Sequence, residues 1–130
     1  MVNFTLNKLF QLLFIASSVL FANEEKIEFD IKNTKQGLSD NDISSIANDG
    51  HGFLWLGTNE GLNRYDGYEF KTYQSNFFDS TALSGNVIWS IFKDSDGDIW
   101  VGTDKGIDQY IYGLDQFKRH DLGSKPVNVI

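Results

Sequence analysis

An all-β chain built from four-stranded antiparallel blades is the fold this sequence predicts, on three observations. The first is an internal repeat. Asp49-Gly-His-Gly-Phe-Leu-Trp-Leu-Gly-Thr-Asn-Glu-Gly-Leu returns as Asp94-Ser-Asp-Gly-Asp-Ile-Trp-Val-Gly-Thr-Asp-Lys-Gly-Ile. Trp55 matches Trp100, Gly57 matches Gly102, Thr58 matches Thr103, Gly61 matches Gly106 and Tyr65 matches Tyr110, each pair offset by 45 positions. Upstream, Leu38-Ser39 matches Leu83-Ser84, Asn41 matches Asn86, and Ile43 and Ile46 match Ile88 and Ile91. The second observation is that Leu54-Trp55-Leu56 and Ile99-Trp100-Val101 are apolar on both faces, the pattern of a strand covered on each side. The third is turn chemistry, with 12 glycines, one proline and an Asp66-Gly67 hairpin signal. A period of roughly 40–50 residues with four short strands per unit is the mark of β-propeller blades. The chain reads as two blades plus a ring-closing N-terminal strand, an incomplete ring.

Composition bounds what such a repeat can do. Of 130 residues, 41% are hydrophobic and 15% aromatic, enough for a packed core and against disorder. There is no cysteine, so neither a disulfide framework nor a thiolate metal site is available. The formal net charge of −7 argues against nucleic acid or an anionic membrane as partner and fits a soluble acidic surface.

Taken in order, residues 1–22 read as a signal peptide. Lys8 precedes the apolar run Leu9 to Phe21, which falls short of the roughly 20 residues a membrane span needs, and cleavage is expected after Ala22. Leu20 departs from the small-x-small rule at the cleavage site, which leaves an uncleaved anchor as the alternative. In residues 23–37, Ile27, Phe29 and Ile31 alternate with Glu28, Asp30 and Lys32, a strand with one buried face. It has no hairpin partner, so it is assigned to closing the ring, with an edge strand on the first blade as the plainer alternative.

The first blade is expected over residues 38–82, with strands at 43–48, 53–58, 62–65 and 69–73. The second is expected over 83–122, with strands at 87–93, 99–103, 107–110 and 116–120. Between Tyr110 and Phe117 the second copy is two residues longer than the first, so its last turn is expected to loop out around Ile111 to Asp115. Residues 123–130 resemble the opening of a third blade, which predicts that this is the front piece of a longer protein. Two blades leave sheet faces uncovered, so the piece alone is expected to be marginal or to associate through them. The predicted structural core of the repeat is Trp55, Gly57, Thr58, Gly61, Tyr65, Trp100, Gly102, Thr103, Gly106 and Tyr110. In it Gly57 and Gly102 permit close backbone approach, and Gly61 and Gly106 supply positive φ in turns.

The segments Gly52 to Gly67 and Gly97 to Ile107, with the lead-in Gln36 to Ile46, resemble the two-component regulator propeller repeat. The resemblance covers the chain from about Ile27 onward, and the second copy departs from the motif where Asp66-Gly67 becomes Ile111-Tyr112. It implies the periplasmic sensor region of a bacterial signalling protein, membrane-anchored at full length. In that family such regions precede an immunoglobulin-like module, a membrane helix and a histidine kinase or diguanylate cyclase output. Oligosaccharides are ligands in its best-studied branch. The segment itself is then no enzyme, and its expected partners are a small-molecule or oligosaccharide ligand, the remaining blades and a second copy in a homodimer, with no nucleic acid.

No catalytic, cofactor or metal site is expected. Asp94-Ser-Asp-Gly-Asp98 invites a calcium reading, but the EF-hand loop wants glycine sixth and glutamate twelfth, whereas Gly97 is fourth and Lys105 twelfth. A hairpin turn explains it better. Strand alternation places the turns between second and third strands on one face with the inter-blade linkers. That face predicts ligand contact by Asn41, Asn59, Glu60, Asn86, Asp104 and Lys105. Trp89, which replaces Ser44 of the first copy, is the aromatic candidate for sugar stacking, against core packing as the plainer reading. A propeller enzyme and an adhesion or scaffold protein are the competing classes, since fold does not fix function.

Overall fold

The structure, a computed structural model, describes residues 5–11 and 26–122. The chain divides into Met1–Asp30 and Ile31–Ile130. In the first unit residues 5–11 are helical and exposed. The rest of the expected signal segment, its cleavage point and the start of a third blade at 123–130 lie outside the described residues. Among the described residues no helix is long and apolar enough to cross a membrane.

The second unit opens with a 3₁₀ turn, Thr34–Gln36, closed at both ends by hydrogen bonds. The Asn33 side chain accepts from Lys35 N, and Gly37 terminates the turn in the left-handed region at φ 103°. Eight strands follow: β1 (Ile43–Asn48), β2 (Leu54–Thr58), β3 (Gly61–Tyr65), β4 (Phe70–Tyr73), β5 (Ile88–Lys93), β6 (Ile99–Thr103), β7 (Ile107–Ile111) and β8 (Gln116–His120). They form two antiparallel sheets in sequence order, β1-β2-β3-β4 and β5-β6-β7-β8. Each sheet is one blade, so the predicted architecture of two four-stranded blades is what the chain adopts. The strand expected over 27–31 is not formed. Residues 26–32 belong to no sheet, and Ile27, Phe29 and Ile31 are 77%, 86% and 75% exposed. A strand needs a hydrogen-bonded neighbour, and none of the eight strands pairs with this segment.

Both inner strands bulge at equivalent points. The register shifts between Ile43 and Ser45 in β1 and between Ile88 and Ser90 in β5, leaving Ser44 and Trp89 as the extra residues. In the first blade that bulge faces the second. The Ser44 hydroxyl donates to the Ile88 carbonyl at 2.6 Å, and Ser45 Oγ accepts from Ile91 N at 2.9 Å. A Cβ placed on Gly57 would stand 2.6 Å from Ile88 Cγ2, so glycine there permits the sheets to approach.

The core lies between the blades. Trp55 and Leu62 of the first and Ile88, Ile99, Val101, Tyr110 and Phe117 of the second are buried together with Leu83 of the linker. Trp55 meets Tyr110 edge-on across the joint at 4.7 Å. Trp100, its counterpart, is only half-buried and lies 4.7 Å from His120 of its own blade.

The two extra residues of the second blade are not looped out. Tyr110 pairs with Phe117 as Tyr65 pairs with Phe70, and Ile111 then pairs with Gln116, an additional rung of the ladder. The loop beyond it, residues 112–115, has the same four-residue length as 66–69 in the first blade. Lengthening the ladder satisfies two more residues' backbone groups, which an open loop would leave to water. It also carries the turn outward by about 3.4 Å, the rise of one residue.

Candidate functional site

Two repeated devices fix the loops at the ends of the blades, and each is built from residues spaced like the repeat itself. At one end the turn between the first two strands is tied by an aspartate. Asp49 Oδ1 accepts from His51 N and Phe53 N at 2.7 and 3.1 Å, and its Oδ2 accepts from Trp55 Nε1 at 2.9 Å. Asp94 repeats this with Asp96 N and Asp98 N at 3.0 and 2.9 Å and with Trp100 Nε1 at 2.8 Å. Burial works against the charge of Asp49, but the Trp55 indole, backbone N–H groups and Tyr112 hydroxyl outweigh it and hold the carboxyl below its ordinary range. The Trp100 indole, the leading influence, does the same for Asp94. Of the aspartates that suggested a calcium loop, Asp94 therefore spends its oxygens on its own turn and tryptophan, and Asp98 Oδ2 accepts from Gln109 Nε2 at 2.9 Å.

The opposite end carries the second device. Ser39 N and Ser84 N donate to Asn63 Oδ1 and Asp108 Oδ2 at 3.0 and 2.8 Å. The hydroxyls of Ser39 and Ser84 bond Thr58 Oγ1 and Thr103 Oγ1, both at 2.8 Å. Each threonine hydroxyl donates on to the following glycine carbonyl, Gly61 or Gly106. This ties each blade's lead-in to its central hairpin. The two copies differ in one atom: Asn63 Nδ2 donates to Ser39 Oγ and Leu56 O, while Asp108 Oδ1 is buried without a partner among the described residues. Gly61 takes φ 127° as expected, but Gly106 does not lie in the left-handed region. Its turn is carried by Thr103, which accepts from Gly106 N at 3.2 Å, so the backbone there needs no unusual conformation.

The predicted ligand residues divide on this frame. Asn41 Oδ1 accepts from Thr34 N at 3.0 Å and Asn86 Oδ1 from Ser75 N at 2.7 Å, so both fasten the segment that leads into their blade. Asn59 and Glu60 form the exposed tip of the β2–β3 turn, where the Glu60 carbonyl accepts from Gln74 Nε2 at 2.8 Å. Asp104 and Lys105 form the equivalent exposed tip, with Asp104 N bonded to Val87 O at 3.0 Å. Hydrogen bonds thus link Gln74 to Glu60, its chain neighbour Ser75 to Asn86, and Asp104 to Val87. The structure brings Glu60, Asn86, Asp104 and Lys105 to one end of the blades. Asn41 makes no bond to that group. Trp89 lies on the inner strand two residues beyond Val87 and is 64% exposed.

A further cluster was not legible as a site. An open cleft of about 420 Å³ lies at the joint between the blades, lined by Lys71, Gln74, Thr81, Leu114, Asp115 and Gln116 among others. None of the residues singled out for ligand contact lines it. Asp115 Oδ1 there accepts from the Tyr73 and Tyr110 hydroxyls, both at 2.6 Å, and its Oδ2 from Lys71 Nζ. Burial and the Asp115 carboxylate together push both tyrosine hydroxyls above their ordinary range. The repeat spacing could not flag Asp115, because it stands in the one turn where the copies differ.

Residues 37–60 and 82–105 match the two component regulator propeller family. The chain is similar to the extracellular domain of the hybrid two component system BT3049 from B. thetaiotaomicron, with 32% identity and a TM-score of 0.66 over 73% of this chain and 14% of that one. A second such domain, from BT4673 of the same organism, gives 29% identity and a TM-score of 0.53 over 60% of this chain and 11% of that one. A histidine kinase P4 of Formosa agariphila is 47% identical over 47 residues, 36% of this chain and 3% of the relative. The chain therefore spans a small part of the length of each of these proteins.

Proposed function

We propose, on the premise that this chain carries repeats of the two component regulator propeller family, that it is part of the extracytoplasmic ligand-sensing region of a bacterial signal-transduction protein. The observation that supports this most is the likeness to the extracellular domain of a hybrid two component system, in sequence and in fold together. On this reading the segment binds rather than catalyses, and a kinase or cyclase elsewhere in the full-length protein turns binding into a phosphorylation or second-messenger signal. The periplasm is its location, with a membrane anchor at full length.

Ligand contact is assigned to the end of the blades where Asn59, Glu60, Asp104 and Lys105 stand exposed, with Asn86 behind them. Acidic, amide and ammonium groups side by side offer both donors and acceptors, which suits a hydroxyl-rich ligand such as an oligosaccharide. Trp89 would add an apolar ring face. Titration calorimetry of the whole extracytoplasmic region against a panel of oligosaccharides tests this. Saturable binding is expected, weakened by about tenfold or more in Glu60→Ala combined with Asp104→Ala, at unchanged melting temperature. Turnover of a polysaccharide without saturable oligosaccharide binding would instead make it an enzyme.

A further inference from the structure

We propose that the turn of residues 112–115 is a latch that fixes the second blade against the first, and that Asp115 is its keystone. The inference rests on what the same turn does in the two copies. In the first blade Asp66 serves its own turn, accepting from Tyr68 N and Glu69 N at 2.8 and 2.9 Å. In the second, Asp115 turns its carboxylate outward to the neighbouring blade, to Lys71 Nζ and to the Tyr73 hydroxyl. Arg64 closes the cluster from the same neighbour, with one guanidinium nitrogen 3.6 Å from Asp115 and donating to the Tyr110 hydroxyl at 2.7 Å.

Tyr112 makes a second, separate crossing. Its hydroxyl donates to Asp49 Oδ2 at 3.0 Å, the oxygen that also holds Trp55 Nε1, and its ring lies 4.4 Å from His51. Both crossings depend on the extra rung Ile111–Gln116, which carries the turn outward. Asp115 also sits at φ 52°, the one non-glycine in the left-handed region among the described residues. Aspartate tolerates that conformation better than most residues, and here the bonds across the joint offset its strain.

In a repeat array each unit is held by its neighbours, and generic joints let units open separately. The latch makes this joint specific: the turn that leads into β8 is bolted to β3 and β4 of the first blade by charge and hydroxyl groups, in addition to the apolar core between the sheets. The two blades then open as one body.

Hydrogen–deuterium exchange on the full-length protein tests this with Asp115→Asn, which retains the tolerance for left-handed backbone and removes the charge. Amides of β4 and β8 are expected to exchange about tenfold faster, while those of β1 and β5 stay within about twofold. Tyr112→Phe, which leaves Asp115 in place, is expected to speed exchange by about threefold in the 49–53 turn and in the 112–115 turn. Equal acceleration across all eight strands would overturn the latch and leave Asp115 as an ordinary stabilising contact. Unchanged exchange in both variants would overturn it as well.

Discussion

Asn63 and Asp108 occupy the same place in the two blades and differ by one atom, which makes their comparison a clean test of what a buried polar group costs. Both are fully buried, and both hold the serine that leads into the blade. The amide of Asn63 spends its second atom on donors' work, while Asp108 Oδ1 has no partner among the described residues. Asp108→Asn can donate to the Val101 carbonyl as Asn63 does to Leu56, and is expected to raise the unfolding free energy by about 1 kcal/mol. A lower denaturation midpoint in the variant would show that the carboxylate has a use there. The glycines divide as sharply. Gly57→Ala is expected to cost about 2 kcal/mol, because its Cβ would press Ile88 at the sheet contact. Gly106→Ala is expected to change stability by less than about 0.5 kcal/mol, since its nearest neighbour would be Ser84 Oγ at 3.7 Å and its φ is ordinary. Thermal melts of the two variants check the pair. Sequence alone treated Gly61 and Gly106 as equivalent. The difference lies in backbone angles that no residue type reports.

The strands were legible because their residues repeat, and repetition marks which positions the fold cannot change. Ile43–Asn48, Ile99–Thr103 and Gln116–His120 fall where the pattern puts them. The tie between Asp49 and Trp55, six residues apart and repeated by Asp94 and Trp100, was equally present in the sequence as a spacing. What hid it was the calcium-like look of the second turn. The turn of residues 112–115 was beyond reach, since the two inserted residues break the 45-residue match there and its partners lie in the other blade. That turn also has a distinct response to acid. Burial opposes ionisation of Asp115, but the Lys71 ammonium and the Tyr110 and Tyr73 hydroxyls outweigh it and bring the carboxyl down to about 2. Its folded value lies below the ordinary 3.8, so its contribution is present above pH of about 4 and is lost as pH falls toward about 2. Because the group is partly exposed, solvent screening reduces that contribution to about 1 kcal/mol. Asp115→Asn should therefore flatten the stability profile between about pH 4 and 2, which acid titration of the unfolding midpoint would show.

At the scale of the molecule, the bulge of β1 hands its Ser44 and Ser45 to the next blade, whereas the bulge of β5 presents Trp89 and Ser90 to solvent. The two surfaces of a blade are therefore unlike: one accepts, the other is accepted. A contact between unlike surfaces has direction, and it repeats by rotation until the circle shuts or the monomers run out. A polypeptide confined to these two blades carries one free surface of each kind, so its copies can join head to tail without a natural stopping number. Sedimentation of such a fragment is expected to show average mass climbing steadily with concentration, with no plateau at the dimer. A mass that stayed at one chain, or stopped at two, would mean that the free surfaces do not recognise each other. Closure of a ring is then more than a way of hiding edges: for a directional contact, it is what gives assembly a final size.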